Sequence, residues 1–322
     1  MGNVASFAQI TPIDQCNVKD MTMCGSDLYV ATNEGYLIFD TKVGETKEMK
    51  TVGNLTSIIA KDQSDLWYIA NLGMSSTINH VKGTETTTYS VANGAIKGGQ
   101  YADYSAKGLT YGPNNTVWFG AYGFFHKFDG KEWTNYTCPA SNFGRIYYKR
   151  FAFDSNGTVW VAGKDQQKNA TFGEFDPVKG EQTPVACDFA DNGVNSMFVD
   201  ANDNVWIGTD SKGFYKYDGS TFVNYNKDSD ANIDVTIKTN ATVGLCQAAN
   251  GDIYYAFNKS LVCFSGDYMV VAGTVANEDH PRDIITCLLP YGEYIFIGTE
   301  QTGVHCYNTT TGEITQVADG TP

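Results

Sequence analysis

Asp154-Ser155-Asn156-Gly157-Thr158 and Asp200-Ala201-Asn202-Asp203-Asn204 place oxygen side chains at alternating positions, a spacing by which a loop can wrap a calcium ion. A helical calcium loop also needs a bidentate Glu about twelve residues in, and flanking helices. Neither is present, so both stretches read as hairpin turns in which Asp, Asn and Gly serve backbone geometry. The histidines His80, His126, His280 and His305 fall at unlike positions and do not suggest a three-histidine metal site. No G-x-S-x-G elbow occurs, and no two acidic residues stand out as a glycosidase pair. None of the 8 cysteines forms a C-x-x-C pair, which argues against zinc. Cys24, Cys246, Cys263, Cys287 and Cys306 have apolar, strand-like neighbours and are expected as buried thiols. Cys16, Cys138 and Cys187 fall in loops and are the candidates for any disulfide. No catalytic residue, metal or cofactor is assigned.

The residues that could hold a ligand lie elsewhere. Arg145, Tyr148, Lys149 and Arg150 form a short basic and aromatic run. Tyr101 and Tyr104 sit in a second polar stretch, and His280 and Arg282 in a third. A guanidinium beside aromatic platforms suits a carboxylate or sulfate carried on a saccharide or peptide. A structural role stays open at each position. The tyrosines could cap the core beneath their loops, and Arg150 could pair with a nearby carboxylate, because an unpaired buried charge is costly.

The elements that must position these residues are legible from a repeat. Tyr29, Trp67, Trp118, Trp160, Trp206, Tyr254 and Phe296 each follow a polar turn and recur at a mean spacing of about 44 residues. Seven such units account for a chain of 322 residues as one domain, 1–322. Each unit reads as an apolar inner strand, a polar turn, a strand carrying the aligned aromatic, a third strand and an alternating outer strand. The inner strands are expected at 55–60, 107–111, 149–153, 195–199, 243–247 and 284–289. Third strands end in an aromatic followed by Asp or a variant, as in Phe39-Asp40, Phe128-Asp129, Phe175-Asp176, Tyr217-Asp218 and Tyr307-Asn308. A period of this size with four short strands per unit predicts an all-β fold, a seven-bladed β-propeller with four-stranded antiparallel blades. Ten residues before the aligned aromatic, units 2 to 7 hold Ser57, Gly108, Arg150, Ser196, Gly244 and Thr286. Small residues there suit inner strands converging on a narrow axis, and Arg150 alone breaks the set. Phe7-Ala8-Gln9-Ile10 matches the outer-strand pattern, so the N-terminus is expected to join the last blade beside its outer strand at 313–317 or in its place.

The pattern D-x-x-G-x-[VIL]-W-[IV]-G-T followed by G-[LF]-x-x-[YF]-[DN], clearest over 107–130, 149–176 and 194–225, resembles the two-component regulator propeller repeat. That resemblance implies a periplasmic sensor region or a stand-alone secreted protein. It is silent about ligand, since propellers host binding modules, lyases and glycosidases alike.

Composition narrows the partners. Hydrophobic residues at 42% and charged residues at 18% fit a large folded core rather than a disordered chain. A net charge of −14 repels phosphate backbones and anionic membrane surfaces, so nucleic acid is not expected as a partner. No apolar run is long enough to span a bilayer, and the N-terminus lacks the form of an export signal. Connections at 91–106, 137–148, 226–242 and 272–283 are long, and long loops in compact domains are usually functional or disordered. The leading expectation is a monomeric, non-catalytic binding or sensing propeller outside the cytoplasm. It would take a small molecule, oligosaccharide or peptide at the channel mouth, or a protein on the loop face. A propeller lyase or glycoside hydrolase using loop residues, and a protein-interaction scaffold, remain the alternatives.

Overall fold

The computed structural model describes residues 11–320 except 73–74, 98–106, 122, 139, 142–143, 146, 165–169, 190–192, 230–231, 235–236, 238, 267 and 276–277. Seven antiparallel sheets follow one another along the chain, at residues 18–51, 54–89, 107–137, 147–184, 194–225, 244–274 and 285–316. Four consecutive strands build each sheet, so every blade folds from local contacts. The turns joining first to second and third to fourth strands share one face, called lower here. Blade-to-blade connections and the turns from second to third strands share the upper face.

Two additions lie in connections read from sequence as long loops. Ala140–Ser141 and Gly144–Arg145 form a small hairpin between blades 3 and 4. Asn232–Ile233 pairs in parallel with Tyr268–Thr274, giving blade 6 a fifth strand. That strand covers part of an edge that would otherwise present unpaired backbone groups.

The aligned aromatics are the wedges between blades. Seven apolar clusters fill the seven seams, and each contains the wedge of the earlier blade: Tyr29, Trp67, Trp118, Trp160, Trp206, Tyr254 and Phe296 in turn. Trp67, for example, packs with Val117 and Phe128 of blade 3, and Trp118 with Phe151 and Phe175 of blade 4. Nearest-neighbour packing of this kind gives a ring no open end only if its first and last blades also meet.

Both termini make that closure. Val304 N donates to Ile13 O at 3.0 Å, and Gln316 Nε2 to Asp14 O at 2.8 Å. At the other end, Gly320 N donates to Gly44 O at 2.7 Å and Thr46 N to Asp319 Oδ1 at 2.7 Å. Ile13, Cys16 and Val317 join Phe296 and Phe39 in the closing cluster. The outer strand of blade 7 is Ile314–Gln316, paired with Val304–Asn308. An N-terminal segment therefore does not stand in its place, and residues 7–10 lie outside the described set.

The repeat motif is explained bond by bond. Asp200 accepts from Asn202 N and Asn204 N, both at 2.9 Å, and from the indole Nε1 of Trp206 at 2.8 Å. Asp154 does the same for Asn156 N, Thr158 N and Trp160 Nε1. Thr209 Oγ1 donates to Gly213 O at 2.7 Å and closes the next turn, as Thr299 does with Gly303. Gly213 has φ +79°, and a Cβ there would fall 2.1 Å from Tyr225 O, so this turn admits only glycine.

Candidate functional site

The innermost strands converge on an axial cavity of about 410 Å³. Its wall is set by register. In each blade the wedge aromatic pairs with an inner-strand residue, and the position two before that residue faces the axis. Those positions are Asp20, Ser57, Gly108, Arg150, Ser196, Gly244 and Cys287, and all seven line the cavity. Register shifts recur beside this ring in six blades, as between Val18 and Asp20, Leu55 and Ser57, or Tyr148 and Arg150. A bulge inserts one residue and re-aims its side chain. Lys19, Thr56, Asn195 and Thr286 occupy bulges and also line the cavity. Lys149 occupies the same position in blade 4.

The charged groups of the wall are Lys19, Asp20 and Arg150. Asp20 Oδ2 accepts from Ser57 Oγ at 2.7 Å and Ile58 N at 3.0 Å, and Ser57 Oγ in turn accepts from Leu109 N at 3.1 Å. This chain ties the inner strands of blades 1, 2 and 3 together. Arg150 Nε donates to Asn195 O at 2.6 Å, and Asn195 Nδ2 donates to Thr242 O at 3.1 Å, tying blades 4, 5 and 6. Burial pushes the Asp20 carboxyl above its usual range, against the pull of its hydrogen bonds and of the Arg150 guanidinium. Burial, with Asp20 close by, also pushes the Cys287 thiol up to about 12, so it is a protonated, unreactive group.

The other titratable candidates are occupied away from the axis. His80 stacks on Trp67 with centroids 3.9 Å apart and bonds Asp65 at 2.7 Å. His126 meets Asn135 Oδ1 at 2.7 Å, and burial lowers its pKa to about 4. His305 Nε2 lies 2.9 Å from Thr302 Oγ1, whose neighbour is the buried Asp283. His280 is exposed on the connection between blades 6 and 7 and contacts Gln301 Oε1 at 3.0 Å. All eight cysteines are free. Cys16 and Cys138, read as disulfide candidates from their loop positions, are instead buried thiols, and Cys187 is half-buried. Cys16 Sγ donates to Ile13 O at 3.5 Å inside the closing seam.

Residues 188–211, which include the turn of Asp200 and the wedge Trp206, match the two component regulator propeller family. That segment carries one copy of the repeat. No curated protein matches this propeller in sequence. Solved structures share its fold at low identity. One is an inactive histidine-to-alanine variant of virginiamycin B lyase from Staphylococcus aureus with quinupristin, at 12% identity and a TM-score of 0.71, covering 92% of this chain and 96% of the lyase. Another is an extracellular domain assigned to a hybrid two component system of B. thetaiotaomicron, at 13% identity and a TM-score of 0.63, covering 94% of this chain and 40% of that one. The propeller described here thus spans less than half of that sensor domain. A third is YCF48 bound to D1 peptide, at 9% identity and a TM-score of 0.60, covering 92% and 94%. At such identities the likeness establishes the fold alone.

Of the site residues read from sequence, Arg150 lines the axial cavity. Arg145 and Tyr148 lie on strands Gly144–Arg145 and Tyr147–Phe153, and Lys149 on the latter. The side chains of these three, and the whole of Tyr101 and Tyr104, lie outside the described residues. His280 and Arg282 are exposed and do not line the cavity. Sequence reasoning missed Lys19 and Asp20. The same count of ten residues, carried into unit 1, lands on Lys19, so the signal was available.

Proposed function

We propose that this chain is a non-catalytic binding or sensing propeller, working outside the cytoplasm, that takes a small acidic ligand at the mouth of its channel. The ligand is an acidic saccharide or the carboxylate end of a peptide. One observation carries the reading: within a protein of net charge −14, the described residues of the axial cavity wall include Lys19 and Arg150 against a single carboxylate. Burial disfavours the charged form of that carboxylate and so raises its pKa. Its volume of about 410 Å³ falls in the range of small-ligand pockets. Arg150 is held by Asn195, so its fork is pre-set for a planar anion. The extracellular sensor domains of similar fold support the compartment, and the peptide complex of YCF48 supports peptide as one ligand class.

A glycan array carrying uronic-acid, sulfated and neutral oligosaccharides, run beside peptides with free and amidated C-termini, tests this. Acidic members should be retained, with retention falling steeply in salt, and Lys19→Ala and Arg150→Ala should each weaken it at least tenfold. Equal retention of neutral members, or full retention by both variants, would place the function elsewhere on the molecule.

A further inference from the structure

The seam between blades 7 and 1 holds a second cavity, of about 430 Å³, with Phe39, Phe296, Tyr291 and Tyr294 among its walls. Comparison with the other seams shows what is missing from it. At three seams the third-strand residue paired with the wedge covers the wedge ring; at the blade 6–7 seam it is the short Cys263, beside Tyr254. His80 stacks on Trp67 at 3.9 Å and an interplanar angle of 8°. Lys127 Nζ stands 5.6 Å over the Trp118 ring, and Lys216 Nζ 5.7 Å over Trp206. The residue paired with Phe296 is Cys306, which is too short to cover it.

Among the described residues a second filler is absent as well. At four other seams the outer strand of the next blade supplies a bulky side chain opposite its third-strand aromatic. Trp133, paired with Phe128, meets Trp67 edge-on at 6.0 Å. Met269, paired with Phe264, joins the Trp206 cluster, and Ile314, paired with Tyr307, packs on the Tyr254 cluster. The corresponding residue of blade 1 is Thr46, paired with Phe39, and both its amide and its hydroxyl donate to Asp319.

We propose that this closing-seam cavity is a binding site for a flat aromatic ring, which stacks on Phe296 in the niche that His80 fills at the blade 2–3 seam. The walls favour a ring over a sugar. The Tyr291 hydroxyl donates to Gly25 O, the Thr41 hydroxyl to Ser26 O, and the Gln316 amide to Asp14 O and Thr302 O. Those donors are spent within the protein, so a polyhydroxylated ligand would leave its own polar groups poorly paired. A stacked ring makes no such demand and gains the offset or edge-on contacts aromatic pairs prefer. Apolar cavities of this kind accept small aromatic molecules.

Indole is the probe and cyclohexanol its aliphatic control of similar bulk. Titrated into the whole protein, indole should bind saturably at one site and shift the ring signals of Tyr291 and Tyr294 in NMR spectra. Cys306→His and Thr46→Trp each restore a missing filler. Both should weaken indole binding at least tenfold while leaving the melting temperature unchanged or higher, which separates a filled site from an unfolded one. No saturable binding of indole, binding of equal strength in a folded Cys306→His or Thr46→Trp protein, or cyclohexanol binding as tightly as indole would each overturn the assignment.

Discussion

Asp200 on the lower face and Asp20 in the channel are both carboxylates wrapped in hydrogen bonds, and their surroundings pull them in opposite directions. Asp200 opposes burial with bonds from Trp206, Asn204 and Asn202, which win and hold it below the usual carboxylate range. Asp20 has bonds from Met21, Ser57 and Ile58, and burial wins. The first is an ionised cap that organises a turn. The second is a carboxylate whose charged form burial disfavours, in a wall that also holds a guanidinium and an ammonium. In a chain with 36 acidic residues, the number of carboxylates says little about function; the direction in which each is pulled says more.

The largest effect that would test this contrast is on stability. Asp200→Ala strips two turn amides and a buried indole of their acceptor, and should cost about 2–3 kcal/mol in chemical denaturation. Asp200 has a depressed native pKa, so its contribution is present above the unfolded value of about 3.9 and is lost as pH falls through the native one. The gap between wild type and Asp200→Ala should therefore narrow in acid. A gap that widened in acid would reverse the assignment of Asp200 as an ionised cap.

Arg150→Ala comes next. Retention of acidic saccharides should fall at least tenfold, whereas stability should fall by about 1 kcal/mol for each hydrogen bond lost, that to Asn195 O among them. Unfolding without any measurable ligand effect would make Arg150 a structural strut like Asp200 and erase the difference between the two regions.

How much of this was legible in the sequence follows from the same register. The lower-face turns were readable because their chemistry is local: Asp200 and Trp206 are six residues apart and bonded to one another. The axial ring was readable in units 2 to 6, where a fixed count from the wedge reaches it. The count slips in blades 1 and 7, whose inner hairpins turn on two residues, Gly25-Ser26 and Gly292-Glu293. Blades 4 and 5 use five-residue turns between Phe153 and Val159 and between Val199 and Val205. In blades 1 and 7 the short turn, without the extra register shift between Ala60 and Asp62 that restores the count in blade 2, puts Asp20 and Cys287 on the ring, with Lys19 and Thr286 in the adjoining bulges. The closing-seam cavity was not legible. It opens beside Cys306 of blade 7 where that blade adjoins blade 1, which carries Thr46; the two blades are far apart in sequence and adjoin only when the ring closes.

Asp20→Asn gives a smaller and opposite effect. A raised native pKa means that the contribution of Asp20 is fully present below about pH 3.9 and is lost as pH rises through the native value. At pH 7 the Asn variant keeps an acceptor for Ser57 Oγ and Ile58 N without a charge to bury. It should melt about one to three degrees higher than wild type, with the advantage vanishing on acidification to about pH 4. Retention of acidic ligands should tighten a few-fold at pH 7, since the only carboxylate among the described residues of the cavity wall is gone. A lower melting temperature at neutral pH would show that the ionised form is the one the channel is built to hold.

The smallest effect belongs to the exposed carboxylates that end the third strands. Asp218 Oδ1 accepts from Ser220 N at 2.9 Å and Thr221 N at 2.8 Å, and these backbone donors hold its pKa well below the usual range. Asp40, Asp129 and Asp176 cap their turns in the same way. Blade 7 already replaces this carboxylate: Asn308 Oδ1 accepts from Thr310 N at 2.8 Å and Thr311 N at 3.0 Å in an equivalent turn. The turn thus needs an acceptor and not a charge. Asp218→Asn should leave the melting temperature at pH 7 within about a degree of wild type, since the group is exposed and screened. Because its native pKa is depressed, the wild-type contribution is lost as pH falls through that value, and the Asn variant should lose less stability in acid. A large drop at neutral pH would mean that the lower face depends on charge at these turns, and that the contrast with the channel is one of degree.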